Sequence, residues 1–306
     1  MTVRQDLQPV LAGGAPGGDA AGVPLLELSD VAVSYETAGL FGRTRKNVVE
    51  GVSFDIHPGE TFGLVGESGS GKSTIGRAIL RLIAPSGGSI RFAGDEVTAF
   101  GRRTPLSYRR EVQAVFQDPS MSLNPRQPVS MAVTAALARH GIGDRAERRR
   151  RTEEVFDHVG LTRLHLDRYP AELSGGQQQR VAIARALVLN PRLVVCDEAL
   201  SALDLSTQNQ IINLLVDLQA ETGVSYLFIG HNLEIVRHIS DRIAVMRLGR
   251  IVELSDAEEL FERPRHPYTR KLLGATPATH PEGREARRAV RNAFASAHAE
   301  GSMAEV

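Results

Sequence analysis

The run Gly66-Glu67-Ser68-Gly69-Ser70-Gly71-Lys72-Ser73-Thr74 is the most informative part of the sequence. Its spacing, G-x-x-x-x-G-K-[ST], is that of a loop that holds phosphate groups. The apolar residues 62–65 before it predict a buried strand, and the residues after it predict a helix. The apolar face of that helix is expected to carry Ile75, Ala78, Ile79 and Leu82. Because strand, loop and helix follow in the order that a phosphate loop requires, we prefer this interpretation to a plain glycine turn.

The residue types in this run suit the binding of a nucleoside triphosphate. Glycines let the backbone bend around a phosphate chain and direct N–H groups at it. The helix that begins near Lys72 adds the positive end of its dipole. The Lys72 ammonium is expected to reach the terminal phosphates, and the Ser73 hydroxyl is expected to bind Mg²⁺.

A second informative string is Leu173-Ser174-Gly175-Gly176-Gln177, before a helix predicted from Gln178 to Leu189. A serine and two glycines at a helix start form an anion receptor of hydroxyl and backbone amide groups. Taken alone, the string is explained equally well by a helix cap with a glycine turn.

Two further predicted strands each end next to polar residues. The apolar residues 193–196 lead into the carboxylates Asp197 and Glu198, and residues 226–229 lead towards His231. In α/β folds the carboxyl ends of buried parallel strands face the ligand. Paired carboxylates after an apolar strand are a weak signal on their own; in a triphosphate site Asp197 would hold Mg²⁺, directly or through water, and Glu198 would act as the general base on the attacking water.

Together these strings resemble the ATP-binding cassette (ABC) ATPases, with residues 173–177 as the signature and 201–204 as the D-loop. The resemblance implies ATP and Mg²⁺ as ligands, with contacts from the phosphate loop and from Ser174, Gly175, Gly176 and Gln177. It implies three further roles. Gln117 would sense Mg²⁺ and the water, His231 would contact the γ-phosphate, and Tyr35, at the end of a predicted strand, would stack on adenine. Catalysis is thereby assigned to Lys72, Gln117, Glu198 and His231, and metal binding to Ser73, Gln117 and Asp197.

The segment 117–126 and the run Arg265-His266-Pro267-Tyr268-Thr269 are similar to the ATP-binding subunits of oligopeptide, dipeptide and nickel importers. Two residues depart from the usual pattern, Ala199 after the catalytic glutamate and Asn232 after the histidine. The only cysteine, Cys196, lies in the predicted catalytic strand, so the C-terminal cysteines that hold an iron–sulfur cluster in some members have no counterpart.

The resemblance implies an α/β fold with three parts: a RecA-like, mostly parallel sheet, an N-terminal antiparallel β subdomain and an inserted α-helical subdomain. We expect a flexible leader over 1–23, the ABC domain over 24–260 with its helical part near 118–180, and an extension with a charged tail over 261–306. No apolar stretch approaches the length of a membrane span. The first residues also lack the pattern of a signal peptide.

Two classes of function follow. The first is an ATPase at the cytoplasmic face of the membrane, paired head to tail with an identical or homologous ATPase. It would power permeases and, indirectly, serve a solute-binding protein, with peptides as cargo or nickel as the alternative. The second is a soluble ABC protein of translation or DNA repair, and an inactive regulatory cassette is a third option. The 36 basic and 36 acidic residues give no net charge that would attract nucleic acid. The arginines of 145–151 lie on a predicted helix of the insertion without an accompanying nucleic-acid-binding motif, so they are interpreted as a solvated helix face.

Overall fold

The computed structural model describes residues 23–39, 42–101 and 103–275. Within these residues ten strands form: β1 (Leu26–Gly39), β2 (Gly42–Ile56), β3 (Thr61–Val65), β4 (Gly87–Phe92), β5 (Asp95–Glu96), β6 (Val112–Phe116), β7 (Leu193–Asp197), β8 (Ser225–Gly230), β9 (Arg242–Arg247) and β10 (Arg250–Asp256). The predicted leader, apart from Val23, and the predicted charged tail beyond residue 275 lie outside the described residues.

Nine α-helices lie in the same described ranges: α1 (Lys72–Ile79), α2 (Leu106–Glu111), α3 (Val129–Arg139), α4 (Arg145–His158), α5 (Gly175–Leu187), α6 (Leu205–Thr222), α7 (Leu233–Ile239), α8 (Ala257–Glu262) and α9 (Pro267–Ala275). Short 3₁₀ turns occupy Pro119–Ser122, Arg163–His165 and Pro170–Glu172. None of the described helices combines the length and the apolarity needed to cross a bilayer.

The central sheet has the strand order β10-β9-β3-β8-β7-β6. Its strands from β9 to β6 run parallel, and β10 pairs antiparallel at one edge. Every residue of β3, β7 and β8 is buried, as expected for strands covered on both faces. Alternate residues of β7 enter different apolar clusters, Val195 on one face of the sheet and Val194 on the other.

A second sheet, of order β2-β1-β4-β5, is antiparallel throughout. In β2, Val52, Phe54 and Ile56 are buried while Ser53 between them is exposed, which confirms the predicted alternation. The apolar face of this sheet packs with one face of the central sheet and with α1 in a single cluster. The helices between residues 129 and 187 pack with the opposite face. The central sheet therefore lies between two layers.

Three local predictions differ from the structure. Helix α1 ends at Ile79 and Arg81 has a φ of 56°, so Leu82 lies outside the helix and is 62% exposed rather than part of its apolar face. Helix α5 begins at Gly175 instead of Gln178, because Ser174 caps it by accepting the N–H of Gln177. Strand β1 continues to Gly39, so Tyr35 lies within a strand and not at its end.

The basic run in α4 is neutralised along its own helix. Arg149 pairs with Glu153 at 3.0 Å, and Arg150 and Arg151 both contact Glu147. Pairs at these spacings contribute only a few tenths of a kcal/mol each (about 0.2–0.5), but they suit an exposed helix face. The arrangement agrees with the interpretation of residues 145–151 as a solvated surface.

Candidate functional site

The candidate site lies where four parallel strands of the central sheet end. Val65 of β3 is opposite Gly230 of β8, and Ile229 of β8 is opposite Asp197 of β7. On the other side of β7, Asp197 is opposite Phe116 of β6. The residues that follow these strands therefore emerge side by side at one edge: Gly66, His231, Glu198 and Gln117. This is the edge at which open α/β sheets bind ligands.

The glycine-rich loop connects β3 to α1 and is packed closely against β9. Gly66 has a φ of 151°, and a Cβ at this position would lie 2.1 Å from the backbone oxygen of Met246. Any residue other than glycine would therefore have to displace a neighbouring backbone. Residues Glu67, Ser68 and Gly69 form the exposed tip of the loop, whereas Ser70, Lys72 and Thr74 are buried.

Lys72 points back into the loop and is only 4% exposed. Its ammonium group donates to the backbone oxygens of Gly66 and Glu67, both at 2.8 Å, and to the Ser70 hydroxyl at 3.2 Å. Burial lowers the pKa of the Lys72 ammonium, and the neighbouring carboxylates, Glu198 foremost, counteract part of that shift. A cation held inside a ring of loop oxygens is well placed to receive an anion.

The side chains of Ser73 and Asp197 meet at the start of α1. The Ser73 hydroxyl donates to Asp197 Oδ1 at 2.8 Å. Burial raises the pKa of the Asp197 carboxyl, an effect that the hydrogen bond from Ser73 and the nearby Arg77 reduce. A hydroxyl and a carboxylate are the oxygen ligands that Mg²⁺ prefers, together with water and phosphate oxygens. In the described part of the chain no three His, Cys, Asp or Glu side chains form a metal cluster, so an ion here would depend on such additional ligands.

Glu198 and His231 face each other across the ends of β7 and β8. Glu198 Oε1 lies 3.9 Å from His231 Nδ1, and both side chains line one cavity together with Ser201 and Asn232. The backbone N–H of Glu198 donates to Ile229, and its φ of 51° is uncommon for a residue with a side chain. Such left-handed geometry clusters at functional sites.

Gln117 and Tyr35 lie at the margins of this arrangement. Gln117 is exposed directly after β6, beside the end of β7. Tyr35 is 40% exposed and lies opposite Lys46 of β2. Lys46 is two residues before Val48 in the same strand. The backbone oxygen of Val48 would be 2.9 Å from a Cβ at Gly71, so this part of β2 borders the loop.

The structure separates the residues 174–177 from the loop. Ser174, Gly176 and Gln177 line a different pocket, whose wall also includes His165, Arg180 and Thr207 and none of the loop residues. Gly176 is needed for close packing, since a Cβ there would lie 2.5 Å from Thr207 Cγ2. Thr207 also donates through its hydroxyl to Asp204, at 2.8 Å. This pocket of the described structure therefore contains the signature string without the phosphate loop.

Comparison with known families agrees with this geometry. Residues 49–201, half of the sequence, match the family model described as ABC transporter. The chain belongs to the ABC transporter family. Residues 252–301 match a second model, the C-terminal region of oligopeptide/dipeptide transporters, which supports the predicted resemblance to the peptide branch.

Named relatives of this ABC protein include glutathione import ATP-binding proteins GsiA. The protein of Salmonella paratyphi A (strain ATCC 9150 / SARB42) is 48% identical over 272 residues, which cover 87% of this chain and 43% of the relative. The protein of Escherichia coli (strain K12) is also 48% identical, over 85% of this chain and 42% of the relative. The chain therefore spans less than half the length of these relatives.

Two solved structures confirm the predicted fold class. One is cbiO1 from Clostridium perfringens, part of the ABC transporter complex cbiONQ, with a TM-score of 0.70 and 28% identity over 79% of this chain and 92% of that chain. The other is a dimeric, post-hydrolysis state of the ATP-binding cassette MJ0796 bound to ADP and Pi. It has a TM-score of 0.68 and 30% identity over 76% of this chain and 98% of that chain.

The sequence reasoning missed one residue that shapes the D-loop of this ABC domain. The Gln208 amide donates to the backbone oxygens of Leu200 at 2.9 Å and Leu203 at 3.0 Å. Gln208 also lines the cavity that contains Glu198 and His231. In the sequence, the only indication of this role was the position of Gln208, four residues after Asp204 and within the first turns of a helix.

The unusual Asn232 has a clear local purpose. Its Oδ1 accepts the backbone N–H groups of Glu234 at 3.1 Å and Ile235 at 3.4 Å, so that it caps α7. Asparagine and aspartate are equally effective helix caps. The departure at residue 232 therefore leaves the helix that follows His231 anchored.

Proposed function

We propose that this chain is the ATP-hydrolysing subunit of a membrane ABC transporter that imports a solute. The observation that carries the proposal is the convergence of the loop lysine, a buried carboxylate, a second carboxylate and a histidine at one sheet edge. Lys72, Asp197, Glu198 and His231 are the parts that binding and hydrolysis of a triphosphate require.

The loop would bind the phosphate chain of ATP. Phosphate oxygens would replace the oxygens of Gly66, Glu67 and Ser70 as partners of the Lys72 ammonium, so that one set of hydrogen bonds is exchanged for another. The backbone N–H groups at the start of α1 would add further donors. Tyr35, on β1 opposite Lys46, would stack on adenine, an interaction that contributes about 1–3 kcal/mol in nucleic-acid complexes.

Ser73 and Asp197 would hold Mg²⁺, with Gln117 beside them. When bound, the ion neutralises charge on the phosphates. Glu198 orients the attacking water and accepts its proton as the oxygen bonds to the γ-phosphorus and ADP departs. His231, whose Nδ1 lies 3.9 Å from Glu198 Oε1, would contact the γ-phosphate.

A complete site would need two chains, paired head to tail. Ser174, Gly175, Gly176 and Gln177 of one chain would close over the triphosphate that the loop of the other chain holds. The separation of the signature pocket from the phosphate loop supports this proposal, as does the dimeric state of the solved relative MJ0796. The partner would be an identical or homologous ABC ATPase.

The transported solute is proposed from the relatives. Glutathione import is the role in the names of the GsiA proteins, and the C-terminal match is to oligopeptide/dipeptide transporters. We therefore propose peptide cargo of this kind, with nickel as the alternative. The chain would lie at the cytoplasmic face of the membrane and contact permeases near residues 117–124. An extracytoplasmic solute-binding protein would deliver the cargo, and no nucleic acid would take part.

The domain organisation is part of the same proposal. The ABC domain would span residues 24–260, with the helical subdomain over about 118–180. Residues 261–306 would form the extension of the peptide branch. The helices α3 to α5 and the three 3₁₀ turns support the helical assignment.

Two measurements test the function. The purified chain should hydrolyse ATP in the presence of Mg²⁺, and removal of the ion by EDTA should stop the reaction. In cells that lack the gene, uptake of labelled glutathione, a dipeptide or nickel should fall and be restored by the wild-type chain but not by Glu198→Gln. ATP hydrolysis without any change in uptake would favour a soluble ABC protein instead.

A further inference from the structure

The run 265–269 has no part in the mechanism above, yet it is firmly attached to the core. The backbone N–H groups of Arg265 and His266 donate to the two carboxylate oxygens of Glu253, at 2.7 and 3.0 Å. Glu253 lies on β10 and is only 9% exposed. The beginning of α9 is therefore held to the edge of the central sheet.

This attachment brings the ring of Tyr268 under the phosphate loop. Tyr268 is 6% exposed and belongs to the apolar cluster that the helical layer shares with the central sheet. The guanidinium of Arg247, at the end of β9, lies 4.9 Å from the centre of its ring. A cation at this distance from a ring is attracted to it, so the ring is held from two sides.

The hydroxyl of Tyr268 contacts the loop itself. Its oxygen accepts the backbone N–H of Glu67 at 3.2 Å. At the other end of the loop tip, the N–H of Gly249 in the β9–β10 turn donates to the oxygen of Ser70 at 3.0 Å. The exposed tip is therefore fastened at both ends by residues that follow β9.

We propose that Tyr268 is a positioning residue for the phosphate loop, through which the C-terminal region sets the affinity for the triphosphate. This inference rests on the proposed function. The residues between Glu67 and Ser70 include Gly69, whose φ of 78° few other residues adopt. Without the tyrosine acceptor the exposed tip would lose one of its two hydrogen bonds to residues after β9, and nucleotide binding would have to order it.

The decisive variant is Tyr268→Phe in the full chain, because it removes one oxygen and keeps the ring and its contact with Arg247. We expect its dissociation constant for MgATP to rise about 3- to 10-fold, the factor that one hydrogen bond commonly accounts for. In the ATPase assay KM should rise by a similar factor while kcat stays near that of the wild type. The matched control is Tyr226→Phe, which makes the same change at a buried tyrosine of β8 whose hydroxyl has no hydrogen-bond partner in the described structure.

Titration calorimetry with MgATP and thermal unfolding of the same samples give the readouts. The inference is overturned if Tyr268→Phe binds MgATP within twofold of the wild type, or if Tyr226→Phe weakens binding as much. If Tyr268→Phe unfolds at a much lower temperature, a second variant, Arg247→Gln, tests the inference instead. It removes the cation beside the ring of Tyr268 and leaves the hydroxyl in place. The inference then requires the KM for ATP to rise. A wild-type chain that does not bind MgATP would instead refute the proposed function.

Discussion

The phosphate loop and the signature both place glycines at the start of a helix, but the glycines serve different purposes. At the loop, Gly66 has a φ of 151° and would bring a Cβ to 2.1 Å from a backbone oxygen of β9. At the signature, Gly176 lies in the first turn of α5, and only a methyl group of Thr207 prevents a larger residue. One site needs glycine for its backbone shape, and the other needs it for close approach between two helices.

This difference matches the division of labour that we propose for the phosphate loop and the signature. The loop holds its own cation and meets the carboxylates of the same chain, so it is equipped to bind and cleave a nucleotide. The signature residues line a pocket whose wall includes the guanidinium of Arg180 but, among the described residues, no carboxylate. We therefore expect changes at the loop to act on the isolated chain, and changes at the signature to act in the assembled pair.

Glu198→Gln is expected to have the largest effect. Removal of a general base commonly lowers turnover by about 10²- to 10⁴-fold. MgATP binding should persist, because the amide keeps the size of the side chain. Steady-state phosphate release measures the loss, with Glu258→Gln as the control, since Glu258 is 75% exposed and distant from the loop in the chain. Turnover near the wild-type rate would show that Glu198 is not the general base.

Lys72→Ala and Ser174→Ala should distinguish the phosphate loop from the signature by binding. Hydrogen bonds to charged groups are worth enough that Lys72→Ala should weaken MgATP binding by about 10- to 150-fold. Ser174→Ala should leave binding to the isolated chain unchanged and lower turnover only when chains pair. Calorimetry on dilute protein measures the first effect, and the dependence of turnover on protein concentration measures the second. Equal losses of binding in both variants would contradict the comparison.

Gly176→Ala and Gly66→Ala test the two purposes of glycine directly. Each should lower the free energy of unfolding by about 1–3 kcal/mol, the usual cost of overpacking. Thr207→Ser removes only the obstructing methyl group and keeps the hydroxyl that donates to Asp204. Added to Gly176→Ala, it should therefore restore the free energy of unfolding. No side-chain substitution should restore the stability of Gly66→Ala, because the atom that obstructs the added methyl group belongs to the backbone. Chemical denaturation of the single and double variants decides between these outcomes.

The smallest expected effect concerns the reactivity of Cys196. Burial, with a lesser contribution from Asp197, raises the pKa of its thiol to about 12, so native protein should resist alkylation near pH 8 and unfolded protein should not. MgATP should slow alkylation further by stabilising the folded chain. This protection should persist in Ser174→Ala and be lost in Lys72→Ala, as followed by mass spectrometry. Rapid alkylation of the native wild type would contradict the burial of this strand.

Features that depend on neighbouring residues in the sequence were predicted well. The strand before Gly66 and the strand before Asp197 are where their apolar runs indicate. Helix limits were less accurate, because a cap such as Ser174 and a turn such as that at Arg81 depend on local hydrogen bonds and φ angles. The roles assigned to individual site residues stay predictions.

Features that depend on distant parts of the chain could not be predicted. Residue 246 closes the space behind Gly66, and Gln208 holds the D-loop through two backbone oxygens. Tyr268 contacts Glu67, which lies 201 positions earlier in the sequence. Hydrophobic period and motif spacing carry no information about such contacts, since these arise only when the layers pack together.

The double contact of Thr207 has a consequence for motion. Its methyl group touches the signature helix, while its hydroxyl holds Asp204, six residues beyond Glu198. A movement of α5 relative to α6 would therefore change the packing at the start of α6, where Asp204 of the D-loop caps that helix. If a permease contacts the helical layer as we propose, its movement would reach the D-loop through Thr207, and ATP hydrolysis by paired chains should be cooperative, with a Hill coefficient above one for ATP.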